Sequence, residues 1–169
     1  MSSSPKSRSR SSAEAAIPRA ATFTIVPVFV DTNVLVYSRD ATERTKQPRA
    51  AAWLGHLWST RQGRISVQVL QEFYVTVTRK LNPGMGADAA RRDVMRLATW
   101  RPVSIDETML EDAWVNEDRF NLAFWDALIV SAARASGCRH LLTDDLQAGQ
   151  EFNGVLVVDP FAVEPGELA

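Results

Sequence analysis

VFVDTNVLVYS, residues 28–38, is the stretch on which the reading of this chain turns. An apolar run from Ile25 to Val30, broken only by Pro27, stops at Asp31 with Thr32 and Asn33 behind it. Apolar residues then resume as Val34, Leu35, Val36 and Tyr37. This is the pattern of a buried strand that ends on a carboxylate. In an open parallel sheet ligands bind beyond the carboxyl ends of the strands, so Asp31 stands where chemistry is done. Asp, Thr and Asn are also capping residues, and the same triplet can simply start a short helix.

Downstream, strands and helices alternate. Thr45 to Ser59 carries Trp53, Leu54, Leu57 and Trp58 at helical spacing, and its tryptophans read as core. Arg64 to Val67 fits a short strand, with Ser66 able to cap the next helix. That helix, Val67 to Leu81, sets Leu70, Phe73, Tyr74, Val77 and Leu81 on one stripe and ends at Asn82-Pro83-Gly84. Glu72 lies opposite the stripe and by amphipathicity alone is a solvated acid, although Val69 and Val75 flank it. Ala87 to Thr99 is a charged, solvent-facing helix. Pro102 to Ser104 fits a brief strand, and Asp106 caps a helix to about Arg119.

From Phe124 to Ala133 the only polar residues are Asp126 and Ser131, so this helix is buried nearly all round. Asp126 in its first turn suits the helix dipole, yet a lone carboxylate in so apolar a setting is costly unless paired or metal-bound. His140-Leu141-Leu142 then gives a second buried strand running into Thr143-Asp144-Asp145, which repeats the opening device. Val155 to Val158 is the last strand. The alternation predicts an α/β fold: a three-layer α/β/α sandwich around a central, mainly parallel sheet.

With 169 residues and 46% apolar composition, the chain supports one real core. Residues 1–22 are Ser/Arg-rich, almost without apolar content, and are expected to be a disordered tail before a single domain at 23–169. Residues 1–20 hold four basic groups against one acid, so a net charge of −1 conceals −4 on the remainder. Net attraction therefore does not hold a polyanion here; a local basic patch or metal ions must. The single cysteine, Cys138, excludes an intrachain disulfide and suits a reducing compartment. Ala21 to Val30 is too short for a membrane span and makes no secretory signal, which predicts a cytoplasmic protein with no membrane partner. There is no Gly-rich phosphate loop, no CxxC pair and no HExxH, and His56 and His140 stand alone as structural residues.

Asp31 and Asp145 would share one edge of a parallel sheet, with Asp126 on a helix packed against it. If Glu72 also reaches that edge, four carboxylates converge. At a separation of about 6 Å and an effective dielectric of about 20, each pair repels by roughly 3 kcal/mol. The sum rivals the stability of a small domain, about 5–15 kcal/mol, so such a cluster must take up protons or bind cations. An all-oxygen donor set selects hard ions, Mg²⁺ or Mn²⁺, which keep waters and coordinate phosphate oxygens. The chemistry predicted is phosphodiester hydrolysis.

VFVDTNVLVYS, the Glu72 helix, FWDALIVSAA and LLTDDLQ, in that order, closely resemble the PIN-domain nucleases, in particular the VapC-type ribonuclease toxins of toxin–antitoxin pairs. The resemblance covers about residues 25–162; the long polar N-terminal extension departs from it. It implies a PIN-like fold and a Mg²⁺-dependent endoribonuclease (Mn²⁺ as substitute) acting on RNA. Asp31 and Asp126 would be the main metal ligands, with Glu72 and Asp145 completing the catalytic set. Asp144 stands as alternate for the fourth acid, since the family pattern of Thr, a variable residue, then the acid selects Asp145. Asn33 would orient Asp31, and Thr143 would hydrogen-bond a ligand or a water. A homodimer and an antitoxin covering the acidic groove are implied partners. Arg39, Arg44, Lys46, Arg49, Arg79 and Lys80 are candidate RNA contacts, and Trp125 reads as core before base platform. The competing reading is a catalytically silent PIN-like module that binds RNA or protein. A phosphatase or receiver-type protein would need a lysine near its aspartates, and none follows Lys80.

Overall fold

The computed structural model describes residues 25–168, and the N-terminal segment expected to be disordered lies outside them. Five strands form one sheet in the order β2-β1-β3-β5-β4, where β1 is Val28–Val30, β2 Gly63–Arg64, β3 His140–Leu142, β4 Glu151–Phe152 and β5 Val155–Val158. All pairings are parallel except β4 with β5. β1 is fully buried, and β3 is buried at Leu141 and Leu142. That is why these strands read as unbroken apolar runs.

Helices α1 (Thr32–Tyr37), α2 (Lys46–Thr60), α3 (Val67–Val75) and α4 (Ala87–Leu97) pack against one another. The pair α5 (Glu107–Phe120) and α6 (Phe124–Ala135) packs together, with α6 also against β3 and β5. This is the expected sandwich. α6 carries seven consecutive buried residues, Ala127 to Ala133, as its composition requires. Trp53 is buried, and its indole N–H donates to the carbonyls of Pro160 and Val163, which pins the C-terminal segment onto α2. Among the described residues no helix is long and apolar enough to cross a membrane.

Three elements depart from expectation. β2 is Gly63–Arg64, one residue earlier than its sequence suggests and half as long, because Ser66 has already turned to cap α3 through the Val69 N–H. The Pro102–Ser104 strand is reduced to a single bridge between Val103 and Ser66. The helix from Val67 does not run uniformly to Leu81: Thr76–Lys80 is a π-helical turn, with the Leu81 N–H on the Thr76 carbonyl at 2.9 Å. Thr78 contributes, since its hydroxyl donates to the Tyr74 carbonyl at 2.6 Å, the kind of i−4 bond that bends helices.

The antiparallel edge strand β4 adds to the expected set, and its turn is Asn153-Gly154. Both residues have positive φ, 49° and 85°, as a two-residue hairpin of matching twist requires. Asn153 also donates to the Asn116 amide oxygen at 2.6 Å, and Asn116 donates to Ser131 at 2.8 Å. Asn116 is fully buried, so this chain of bonds ties α5, α6 and the hairpin together. Asn116→Ala strands two partners and should cost about 1–3 kcal/mol in urea unfolding; a loss below about 0.5 kcal/mol would show that the network carries no stability.

Candidate active site

The parallel register of β1 and β3 pairs Val30 with Leu142. The next residue on each strand is therefore Asp31 and Thr143, side by side at the carboxyl edge. The Asp31 N–H extends the ladder to the Leu142 carbonyl at 3.0 Å, and the Thr143 N–H reaches Val158 at 3.2 Å. The Thr143 hydroxyl donates to Asp31 Oδ2 at 2.8 Å, while Asp31 Oδ1 accepts the Thr32 N–H at 2.7 Å and so caps α1. The capping reading of the opening triplet is thus realised, by the same carboxylate that stands at the carboxyl edge of the sheet.

Asn33 and Thr143, assigned separate parts on sequence grounds, are linked. The Asn33 amide and the Asp145 backbone N–H both donate to Thr143 Oγ1, at 2.9 and 3.1 Å. Asn33 therefore orients Asp31 at one remove, through Thr143, and the Thr143 hydroxyl proton is committed to Asp31. The Asn33 side-chain oxygen Oδ1 is buried without a partner.

Glu72 is not the freely solvated acid that its helix stripe suggests. The Thr32 hydroxyl donates to Glu72 Oε2 at 2.8 Å and the Gln68 amide to Oε1 at 2.9 Å. Neither Thr32 nor Gln68 stands out in the sequence as a partner for Glu72, although Gln68 lies one helical turn before it, a spacing that pairs side chains. Asp126 sits in the first turn of α6, and Asp145 is exposed beyond β3.

Asp31 and Asp126 both lie within the field of Asp145 and Glu72. Burial is the first cause that raises the Asp31 pKa, to about 7; the bonds from Thr143 and Thr32 oppose it, and the charges of Asp145 and Glu72 add to it. Asp126 is raised by desolvation first, then by Asp145 and Glu72. Asp144 takes no part in this. Its Oδ2 is 2.7 Å from Lys46 Nζ, which also donates to the Tyr37 hydroxyl at 3.1 Å and is held charged chiefly by Asp144. Of the tandem acids, only Asp145 faces the cluster. Among the described residues, no three His, Cys, Asp or Glu side chains are gathered closely enough to hold a metal ion as they stand.

The family model for the PIN domain matches residues 28–150. The chain belongs to the PIN-domain family. No curated protein shows significant similarity to it. Among solved structures this PIN domain is similar to a toxin–antitoxin complex from Klebsiella pneumoniae, at 22% identity, 79% coverage of this chain, 97% of that one and a TM-score of 0.57. FitAB bound to an IR36 DNA fragment aligns at 18% identity over 83% of this chain and 99% of that one, with a TM-score of 0.60. VapC20 of Mycobacterium tuberculosis, a toxin that cleaves the sarcin–ricin loop, aligns at 24% identity over 68% and 86%, with a TM-score of 0.49. At these identities the likeness to the Klebsiella and FitAB structures is one of fold.

Beside the acids of this PIN domain lies a groove of about 570 Å³, lined by Thr32, Asn33, Tyr37, Glu72, Lys80 and Asp145 among others. Of the basic candidates, Arg39 is paired with Asp93, Lys46 with Asp144 and Arg49 with Glu164, so these charges are neutralised within the fold. Lys80 alone of the six borders the groove. Trp125 corrects the expectation of core packing: it is 62% exposed, its ring edge-on to Phe124 at 5.1 Å. Its place in the helical period turns it from the sheet that buries Ala127 to Ala133. The Cys138 thiol, pushed up to about 12 by burial, is no nucleophile. His56 and His140 line a separate cavity with Val26 and Val28, at the amino end of β1.

The raised pKa of Asp31 makes a stability prediction. Its folded value near 7 lies above the unfolded 3.8, so the folded state retains a proton that the unfolded state gives up. That contribution is fully present below about pH 3.8 and is lost as pH rises through about 7. A shift of about three units bounds the effect at roughly 4 kcal/mol. In EDTA, Asp31→Asn should therefore raise the melting temperature at pH 8 and lose that advantage near pH 4. Equal melting curves for the two proteins at pH 8 would show that the buried carboxylate carries no penalty.

Proposed function

We propose that this PIN-domain protein is a Mg²⁺-dependent endoribonuclease that hydrolyses RNA phosphodiester bonds, and that it serves as the toxin of a toxin–antitoxin pair. One observation carries the reading: a desolvated carboxylate, Asp31, is kept at the carboxyl edge of a parallel sheet within the field of other acids that raise its pKa. Residues that repel one another and favour no ion are a stability cost with no structural return. Membership of the PIN family supports a nuclease.

The donor set fits a hard divalent cation. Carboxylates, a threonine hydroxyl and an amide oxygen without a partner supply oxygen only, and no thiol or imidazole competes. Asp31, Glu72, Asp126 and Asp145 would hold Mg²⁺, or Mn²⁺ in its place. Asp145 is exposed and Asp126 half-buried, so these two have the rotamer freedom to close on an ion, while Asp31 and Glu72 are fixed by Thr143, Thr32 and Gln68. Bound divalent ions supply charge neutralisation, phosphate coordination and a water of lowered pKa. The chain's own part is geometric. Thr143 and Asn33 fix the angle of Asp31, the Thr32 hydroxyl sets the distance of Glu72 from it, and Lys46 keeps Asp144 out of the cluster.

The Klebsiella neighbour is a toxin–antitoxin complex, which supports an antitoxin as partner. Exposed Trp114, Val115 and Trp125 on α5 and α6 offer apolar surface of the kind that an antitoxin or a second copy covers. A homodimer in the cytoplasm is the state that goes with this reading.

Asp31→Asn and Asp126→Asn should each abolish Mg²⁺-dependent cleavage of cellular RNA, by more than the roughly 10–100-fold that a change at an outer residue such as Thr143→Val produces. Circular dichroism should show both variants folded. Wild-type turnover in either would sink the assignment. Mg²⁺ should also raise the melting temperature of the wild type, by the equivalent of about 2.7 kcal/mol at a hundredfold excess over its Kd, and leave Asp31→Asn nearly unmoved. RNA binding with neither cleavage nor a Mg²⁺ response would instead favour the silent PIN-like module.

A further inference from the structure

On the β2 edge of the sheet, away from the acids, a groove of about 470 Å³ is lined by Ile25, Trp58, Arg61, Gly63, Arg64 and Arg101 among others. Arg96 stands beside it, its guanidinium 6.0 Å from the Trp58 ring. Among the described residues every ion pair involves some other cation, so Arg61, Arg64 and Arg101 make none; Arg96 makes none either, but it lines a neighbouring pocket together with Asp93. No acid lines the groove itself. In a domain whose net charge is −4 without its N-terminal segment, three guanidiniums gathered around a groove that no acid lines are a local concentration of positive charge.

Two further observations point the same way. Arg61 closes α2 and Arg101 closes the 3-10 turn that follows α4, Ala98–Trp100, both in the left-handed region with φ of 59° and 55°. Glycine fills such positions without strain, so stability alone would put glycine at both. The groove also has an aromatic wall. Trp100 lies so flat on β2 that a Cβ at Gly63 would come within 2.5 Å of its ring, and Trp58 packs on it at 4.8 Å with part of its indole left open. The Arg64 guanidinium is steadied by the carbonyls of Arg61 and Gly63, at 3.2 and 2.8 Å.

We propose that this groove binds single-stranded RNA, gripping a stretch of the substrate several nucleotides away from the bond that is cut at the acidic rim. Phosphates match the guanidiniums, and the open indole offers a stacking face to an unpaired base. The position suits one continuous strand. Arg64 is level with Phe29 in the sheet, and Asp31 is two residues further along β1. Those two backbone points are the nearest, roughly 7 Å apart along the strands and 5 Å across them. Trp58 and Arg61 lie further off, at the far end of α2 from Lys46, which meets Asp144 beside the acids, a helix length of about 20 Å. A second copy of the chain is a poor occupant, because a self-complementary contact would face the same arginines with one another.

The identification of the occupant as substrate rests on the ribonuclease reading, so the test separates the two. In the full chain carrying Asp126→Asn, the binding of a fluorescent oligouridylate is followed by anisotropy across a salt series. Arg61→Gly with Arg101→Gly, added to that background, should weaken binding about tenfold and lower the log–log salt slope by about 0.7 for each phosphate that is no longer neutralised. The melting temperature should stay level or rise. Unchanged affinity and slope in the double variant overturn the groove proposal, even if the Asp126 protein cuts RNA. Loss of binding in the double variant upholds the groove, even if the Asp126 protein cuts nothing, in which case only the nuclease reading falls. Binding of a polyglutamate peptide that the double variant abolishes, with RNA affinity intact, assigns the groove to a protein partner and also overturns the proposal.

Discussion

The arrangement depends on burying one carboxylate at the end of β1. Asp31 is 7% exposed, and desolvation is the largest influence on its charge. Two donors, the Thr143 hydroxyl and the Thr32 amide, offset that cost only in part. Each comes from a different element, which makes the carboxylate a junction. The strand register sets Thr143, the start of α1 sets Thr32, and Thr32 passes the constraint on to Glu72 in α3. Moving the register of β1 and β3 by one residue would take the hydroxyl from the carboxylate and exchange the side chains that β1 packs on its two buried faces. Core packing and site geometry are therefore one requirement.

The tandem acids show how charge is sorted within three residues. Both lie in the bend that follows β3, and only Asp145 turns to the cluster. Asp144 turns to Lys46, whose ammonium is set over the Tyr37 ring at 4.4 Å and the Phe161 ring at 5.1 Å. That contact draws the C-terminal segment, fixed by Trp53, towards the loop that bears Asp145. Lys46 is thereby a cation that lies near the acids without neutralising them, and a structural role explains its position better than a role in holding RNA.

The legible parts of the fold are those with a period. The buried strands, the stripe of α3, the apolar ring of α6 and the Ser66 and Asp106 caps all follow from composition at fixed spacing. The candidate acids can be named because each ends an apolar run or interrupts one. Glu72 is the exception, named through the family pattern while its helical stripe argues for solvent. What reclaims it is Thr32, forty residues away, a contact no local spacing encodes. Edge strand β4 does leave a trace, since Asn-Gly between Phe152 and Val155 is a hairpin signal, but two residues are too few to show alternation. Trp125 defeats the sequence expectation because a helix buried over seven consecutive residues invites the assumption that its first turn is buried too.

A protein that handles a polyanion with a cleft of acids faces an electrostatic conflict. The charges that recruit divalent ions also repel phosphate, and the domain as a whole is negative. Cations placed among the acids would resolve the repulsion at the expense of the ions, since a lysine ammonium competes with Mg²⁺ for the same oxygens. The structure keeps them apart. Lys46 is bound to the one acid that is not in the cluster, Arg39 and Arg49 are paired elsewhere, and Lys80 only borders the groove. A cluster of unpaired arginines lies on the β2 edge, and two of them sit where the backbone prefers glycine. On the ribonuclease reading, attraction and catalysis are separated by up to the length of α2, about 20 Å, far enough that the guanidiniums do not occupy the metal oxygens, while one chain of phosphates can still meet both.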